Sequence, residues 1–178
     1  MSEPIIPFAG RRWLIETATI AQGKSGELAT SPAECVAAAT ALDLLECKNF
    51  TFTYALKPLA GQRFHLRAAI VAEVVQASVV SLEPVRSTIE EQADSELVPE
   101  GRRQPEEGDG AVDILNAPVI ETYADGRIDL GLIAFELLSV SLEPYPKNSG
   151  ETLPEDASPA RQIPSPFAAL AALRKSDT

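Results

Sequence analysis

At 178 residues, 45% apolar and 23% charged, the chain is long enough for one domain with a real core, and its composition excludes wholesale disorder. Its 26 acidic and 15 basic residues give a formal charge of −11, which opposes docking on DNA and restricts any RNA contact to a local one. No run of about 18 uninterrupted apolar residues occurs, the opening MSEPIIPFAGRR lacks a basic and then apolar leader, and Cys35 and Cys47 are too few for a disulfide framework, so the expectation is a cytoplasmic protein with two free thiols and no membrane contact.

The first clear element is SPAECVAAATALDLLEC, Ser31 to Cys47. Ser31 can serve as N-cap, Pro32 as the first helical residue and Glu34 as the partner that closes a capping box. Val36, Ala39, Leu42 and Leu45 recur at a spacing that predicts the packed side, with Glu34 and Asp43 left wet. In NFTFTYALKPL the residues Phe50, Phe52, Tyr54 and Leu56 alternate with Thr51, Thr53, Ala55 and Lys57, the period of a half-buried strand. After a turn at Ala60 and Gly61, Phe64, Leu66, Ala68 and Ile70 alternate with Arg63, His65, Arg67 and Ala69, so the two runs predict an antiparallel hairpin.

VVQASVVSLEPV, Val74 to Val85, reads as a continuation of that strand or the start of the next, and a β-meander follows. In TIEEQADSELVP the residues Ile89, Ala93 and Leu97 satisfy both the helical and the strand period, and the preceding strands favour a strand. Residues 99–111 are polar, rich in Gly and Pro and without period, which predicts a flexible loop. APVIETYADGRIDL predicts a short strand, a turn at Asp125-Gly126 and Asp129 as N-cap of a second helix that stops before Pro144. A second flexible linker, 147–164, precedes a short C-terminal helix, SPFAALAALRK, with Phe167, Leu170 and Leu173 as docking residues. That helix either folds back on the core or binds a partner, folding back being the simpler arrangement. The fold class is α+β: a mainly antiparallel sheet in meander order with two packed helices and the short terminal one, in a single domain over 1–178.

Chemistry is hard to find. His65 is the single histidine and sits on the polar side of its strand, and neither a GxSxG elbow, a Gly-rich phosphate loop nor an HExxH pattern occurs. Glu90 with Glu91, and Glu106 with Glu107 and Asp109, read as solvated charge, and one histidine with two distant cysteines cannot close a zinc site. The basic residues form small groups, Arg11 with Arg12, Arg63 with His65 and Arg67, and Arg102 with Arg103, each ordinary surface charge when taken alone.

Three segments in order carry a resemblance: VVQASVVSLEPV, DGRIDLGLIAFELLSVSLEPYPK (Asp125 to Lys147) and PSPFAALAALRK (Pro164 to Lys175). Together they resemble the YceD family, the large ribosomal RNA subunit accumulation proteins, over roughly residues 11 to 175. Relatives in that family often carry Cys-x-x-Cys where this chain has Ser78-Val79-Val80-Ser81, and many add a second cysteine cluster where this chain reads YPKNSGETLPED. Both clusters are missing here together, as expected if they form one structural zinc site elsewhere, since half a thiolate site is worth little. Ser78 and Ser81 then mark vacated metal positions. Two hydroxyls on one wet strand face fit less well, because residues three apart point to opposite faces unless a bulge intervenes.

The resemblance implies a non-enzymatic factor for 23S rRNA accumulation and large-subunit biogenesis, with no cofactor, no metal and no catalytic residue. Its partner would be a large-subunit ribosomal protein or 23S rRNA, and the acidic composition suits a basic protein better than RNA. The expected contact surface is Arg63, His65 and Arg67, joined by Arg11 and Arg12 if the N-terminal strand pairs alongside. The alternatives are a protein-interaction adaptor that uses the loop Glu100 to Gly110 and the terminal helix, and an enzyme built on His65 or the Glu106 group.

Overall fold

The computed structural model describes residues 7–101 and 119–152. The chain divides into two compact units, Met1–Asn148 and Ser149–Thr178, and every element named below belongs to the first. In chain order these are β1 (Leu14–Glu16), β2 (Lys24–Ala29), α1 (Pro32–Ala41), β3 (Glu46–Leu59), β4 (Arg63–Ala77), β5 (Pro84–Pro99), β6 (Val119–Tyr123), β7 (Arg127–Asp129) and α2 (Leu130–Ser141). Short 3₁₀ turns at Arg11–Trp13 and Thr17–Ile20 flank β1.

Five strands form one sheet in the order β2-β3-β4-β5-β6, and β1 pairs with β7 in a separate two-stranded ribbon. The expected meander is present, with every neighbouring pair of the large sheet antiparallel except β5 with β6, which run parallel. A parallel partner needs a return of a dozen or more residues, and residues 100–118 supply it. Strand β2 was not expected: KSGELA is polar and exposed along nearly its whole length, because it is an edge strand and its pattern carries little apolar signal.

The strand period decides which face is buried. Phe50, Phe52 and Leu56 of β3 and Phe64, Leu66, Ile70 and Val74 of β4 all point inward, as their alternation with Thr, Lys and Arg predicts. Each such side chain contributes about 2 kcal/mol of burial free energy. Over this face lie Phe8, Trp13, Ile15 and Ile20 from the N-terminal segment, Cys35 and Ala38 from α1, and Leu130, Ala134 and Leu138 from α2. Phe8 stacks on Phe50 with ring centroids 4.5 Å apart and on Trp13 at 5.4 Å. No aromatic pattern near residue 8 announces this lid.

Helix α1 begins as the sequence predicts, with Ser31 and Glu34 closing a full capping box and Pro32 at the first position. Of the side expected to pack, Ala39 and Leu42 rest against the core, but Val36 and Leu45 do not. Cys35 and Ala38 are buried, whereas Val36 is 67% and Leu45 56% exposed. The helix stops at Ala41, so the spacing that seemed to link Val36 to Leu45 runs past its end, and small residues meet the sheet because α1 lies close on β3.

One further stretch corrects the expectation, and the strand favoured for TIEEQADSELVP is present. Strand β4 ends at Ala77 and β5 begins at Pro84, so Ser78 to Glu83 is a turn and not a strand. TIEEQADSELVP lies within β5, with Ile89 and Leu97 buried on the core face. Asp129 caps α2 by accepting from the Leu132 N–H at 3.0 Å, as predicted. Most of loop 99–111, most of linker 147–164 and the segment with Phe167, Leu170 and Leu173 lie outside the described residues.

Gly131, in the first turn of α2, lets the helix approach the N-terminal segment closely: a Cβ there would stand 1.7 Å from the Phe8 carbonyl oxygen. Backbone cannot yield as a flexible side chain can, so one added methyl has to push Phe8 off Phe50 and Trp13. Gly131→Ala is expected to destabilise the protein by about 1–3 kcal/mol, read from the midpoint of urea denaturation. An unchanged midpoint would contradict this packing.

Candidate functional site

Strand β4 presents Arg63, His65 and Arg67 on the outer face of the sheet, as the alternation predicts. The register with β5 sets His65 opposite Glu96 and Arg67 opposite Asp94. Arg63 Nη1 donates to Glu96 Oε1 at 2.8 Å, His65 Nε2 meets Asp94 Oδ1 at 2.6 Å, and Arg67 Nε donates to Asp94 Oδ2 at 3.2 Å. The His65 hydrogen bond, followed by Arg67, holds the Asp94 carboxyl below its ordinary range. The three basic residues do share one surface, but each is answered by a carboxylate, so the strand is a ladder of ion pairs. Exposed pairs of this kind add little stability, and they leave less positive charge for phosphates.

Arg12 does not join that surface, and the side chain of Arg11 lies outside what the structure describes. β1 pairs with β7, which sets Leu14 opposite Asp129, and the turn that carries both arginines sits in the helical layer. Arg12 donates to the Ala29 carbonyl at 2.9 Å, pairs with Glu34 and lies 5.2 Å from the Trp13 ring centre. Glu34 also accepts from Trp13 Nε1 at 2.8 Å and from the Ser31 N–H at 2.7 Å. Burial raises the Glu34 carboxyl, but the Ser31 and Trp13 hydrogen bonds and the Arg12 charge outweigh it and leave the group below its usual value. Arg12 is therefore a structural clasp between the N-terminal segment and α1, and Glu34 is not the wet residue its helical position suggested.

The Ser78 to Glu83 turn is built around its two hydroxyls. Ser78 is fully buried, and its Oγ accepts from the backbone N–H groups of Val80 at 3.1 Å and Ser81 at 3.2 Å. Ser81 Oγ in turn accepts from the Glu83 N–H at 3.2 Å. The backbone closes the same loop through Ser78 N–H to the Glu83 carbonyl at 2.8 Å and Leu82 N–H to the Ser78 carbonyl at 3.0 Å. Leu82 pays for the tightness with a left-handed φ of 63°, unusual for a residue with a branched side chain. The two serines thus lie on one compact turn, and the objection that residues three apart face opposite ways does not arise.

This turn packs against the segment that follows α2. Val79 N–H donates to the Pro146 carbonyl at 2.9 Å, and Gln76 Nε2 donates to the Glu143 carbonyl at 3.0 Å. Residues 67 positions apart in sequence are therefore neighbours, and Val79 and Pro146 fall in the two segments where the resemblance implies cysteine clusters.

The remaining candidates separate. Glu90 and Glu91 are adjacent on β5 and project from opposite faces of the sheet, so they make no acid/base pair, and the Glu106, Glu107 and Asp109 group and Arg102 with Arg103 lie outside the described residues. Cys35 and Cys47 are free and buried. Burial, with Cys35 alongside, pushes the Cys47 thiol up to about 12, which makes it a poor nucleophile near neutral pH. Among the described residues no group of three or more His, Cys, Asp or Glu gathers to hold a metal, and no helix is long and apolar enough to cross a membrane. A cleft of about 650 Å³ that sequence reading did not anticipate opens at one end of the sheet between Thr17, Gln62, Phe64, Glu100, Tyr123 and Asp125. Its parts come from four separate segments, so no local pattern reveals it.

No protein-family model, curated protein or solved structure matches this chain.

Ser78→Ala removes an acceptor that serves two N–H groups, one more than a typical helix cap. The expected cost is about 1–2 kcal/mol, measured by urea denaturation, while Ser78→Thr, which keeps the oxygen, is expected to lose less. Equal stability of Ser78→Ala and the unaltered protein would show that the hydroxyl does not hold the turn.

Proposed function

We propose that this protein is a non-enzymatic binding factor in large ribosomal subunit biogenesis, acting in the cytoplasm on 23S rRNA accumulation through a large-subunit ribosomal protein. The observation that carries the reading is the packing of the Ser78-Val79-Val80-Ser81 turn on Pro146. It joins the two segments in which the YceD resemblance calls for paired cysteine clusters, and a shared metal site would require that closeness. In this reading Ser78 and Ser81 are what remains of a metal position whose turn is now closed by hydroxyl and backbone hydrogen bonds. The donor set agrees with an organic closure, since two serine oxygens already engaged by backbone N–H groups are poor ligands for zinc.

The paired state of the arginine strand favours a protein partner over RNA. Arg63, His65 and Arg67 each meet a carboxylate of β5, and the whole chain carries −11. A basic ribosomal protein gains from that field in approach and in selectivity, whereas an RNA backbone is repelled by it.

Pull-down of the tagged protein from growing cells, with and without nuclease, tests the reading. Large-subunit proteins are expected in both samples, and the double substitution Arg63→Glu, Arg67→Glu is expected to leave their recovery within about twofold, the range of a solvated charge pair. Recovery that disappears with nuclease and with the double substitution would transfer the contact to 23S rRNA on the β4 face. Recovery of neither protein nor rRNA would overturn the ribosomal reading in favour of an adaptor for some other partner.

A further inference from the structure

Three exposed apolar residues lie on the Ser78 turn and on the segment that packs against it. Val79 is 48%, Leu82 77% and Tyr145 73% exposed. The hydrogen bond from Val79 to Pro146 sets the turn directly against the residue that follows Tyr145, so the two segments that carry these residues are adjacent. Single exposed apolar residues are ordinary, but a cluster raised on a rigid turn is what a docking surface presents. Leu82 adds a second observation: its backbone is held left-handed at 63°, a conformation that residues with a Cβ rarely adopt. Glycine or asparagine would hold the same turn more cheaply, and a leucine there gains nothing from burial.

The rim of this patch is acidic. Glu83 adjoins Leu82 in sequence, and Glu143 accepts from the Tyr145 N–H at 3.4 Å; both are exposed, with Lys147 as the cation beyond Pro146. In a chain of charge −11, such a rim selects a basic partner and repels an acidic one.

We infer that Val79, Leu82 and Tyr145, with Glu83 and Glu143 at their edge, form the docking surface for a basic protein segment that carries an apolar anchor. The inference rests on the ribosomal reading for the identity of that partner, a large-subunit ribosomal protein. The apolar residues supply the desolvated centre, the carboxylates the charge-assisted rim, and the hydroxyl-braced turn keeps Leu82 in place before the partner arrives, which lowers the entropy lost on binding.

Photocrosslinking in cells tests it. A benzophenone amino acid is placed at position 145 in one variant and at Thr53, on the outer face of the sheet, in another, and crosslinked proteins are identified by mass spectrometry after nuclease treatment. The expected result is a basic large-subunit protein crosslinked from position 145 and not from position 53. In the position 145 variant, Leu82→Asn, which tolerates the left-handed backbone, is expected to lower that yield about tenfold, the effect of losing one anchor. Large-subunit proteins crosslinked from position 53 instead, or at 145 with no effect of Leu82→Asn, would overturn the surface while leaving the ribosomal reading intact. No large-subunit protein at either position, together with none in the pull-down, would remove both.

Discussion

The structure depends on a division of labour between the two faces of β3 and β4. Because successive side chains point to opposite sides, Phe50, Phe52 and Leu56 meet Phe64, Leu66 and Ile70 on one face, while Lys57, His65 and Arg67 occupy the other. The apolar face cannot stay in water, and α1, α2, the β1/β7 ribbon and the N-terminal aromatic residues are all arranged to cover it. The polar face carries its own compensation in the carboxylates of β5. The same period therefore fixes both where the core lies and why the densest basic positions in the chain are already neutralised.

Two braces hold the covering layer in register. On one side Glu34 gathers Arg12, Trp13 and Ser31, which ties the N-terminal segment to the start of α1. On the other, the hydroxyl-closed turn after β4 holds the exit of α2 through Pro146 and Glu143. In the proposed reading the second brace also supports the docking surface. It fixes the backbone that carries Val79 and Leu82 and ties it to the segment that carries Tyr145.

The sequence was most informative where one local rule operated alone. The alternation in β3 and β4, the capping box at Ser31, the turn at Asp125 and the cap at Asp129 each involve residues a few positions apart, and each appears in the structure. It was least informative where two distant segments decide the outcome. Glu96 and Asp94 neutralise Arg63, His65 and Arg67 only in one strand register, which β5 could not reveal while its period fitted a helix as well. Arg12 went to Glu34 because β1 chose β7, a pairing across more than a hundred residues. The run of apolar residues around Val79 and Val80 concealed a turn, since Ser78 and Ser81 act through their oxygens and not through hydropathy. Ser78 and Ser81 were visible as unusual residues in an apolar stretch, but their partners at the exit of α2 were not.

The central claim, a role in building the large ribosomal subunit, is tested most directly by depleting the protein and measuring the ratio of 23S to 16S rRNA together with the sedimentation profile of ribosomal particles. The account predicts a fall in 23S rRNA relative to 16S and a shortage of free large subunits, both restored by the unaltered chain and poorly by Leu82→Asn. An unchanged ratio and an unchanged profile in depleted cells would contradict it.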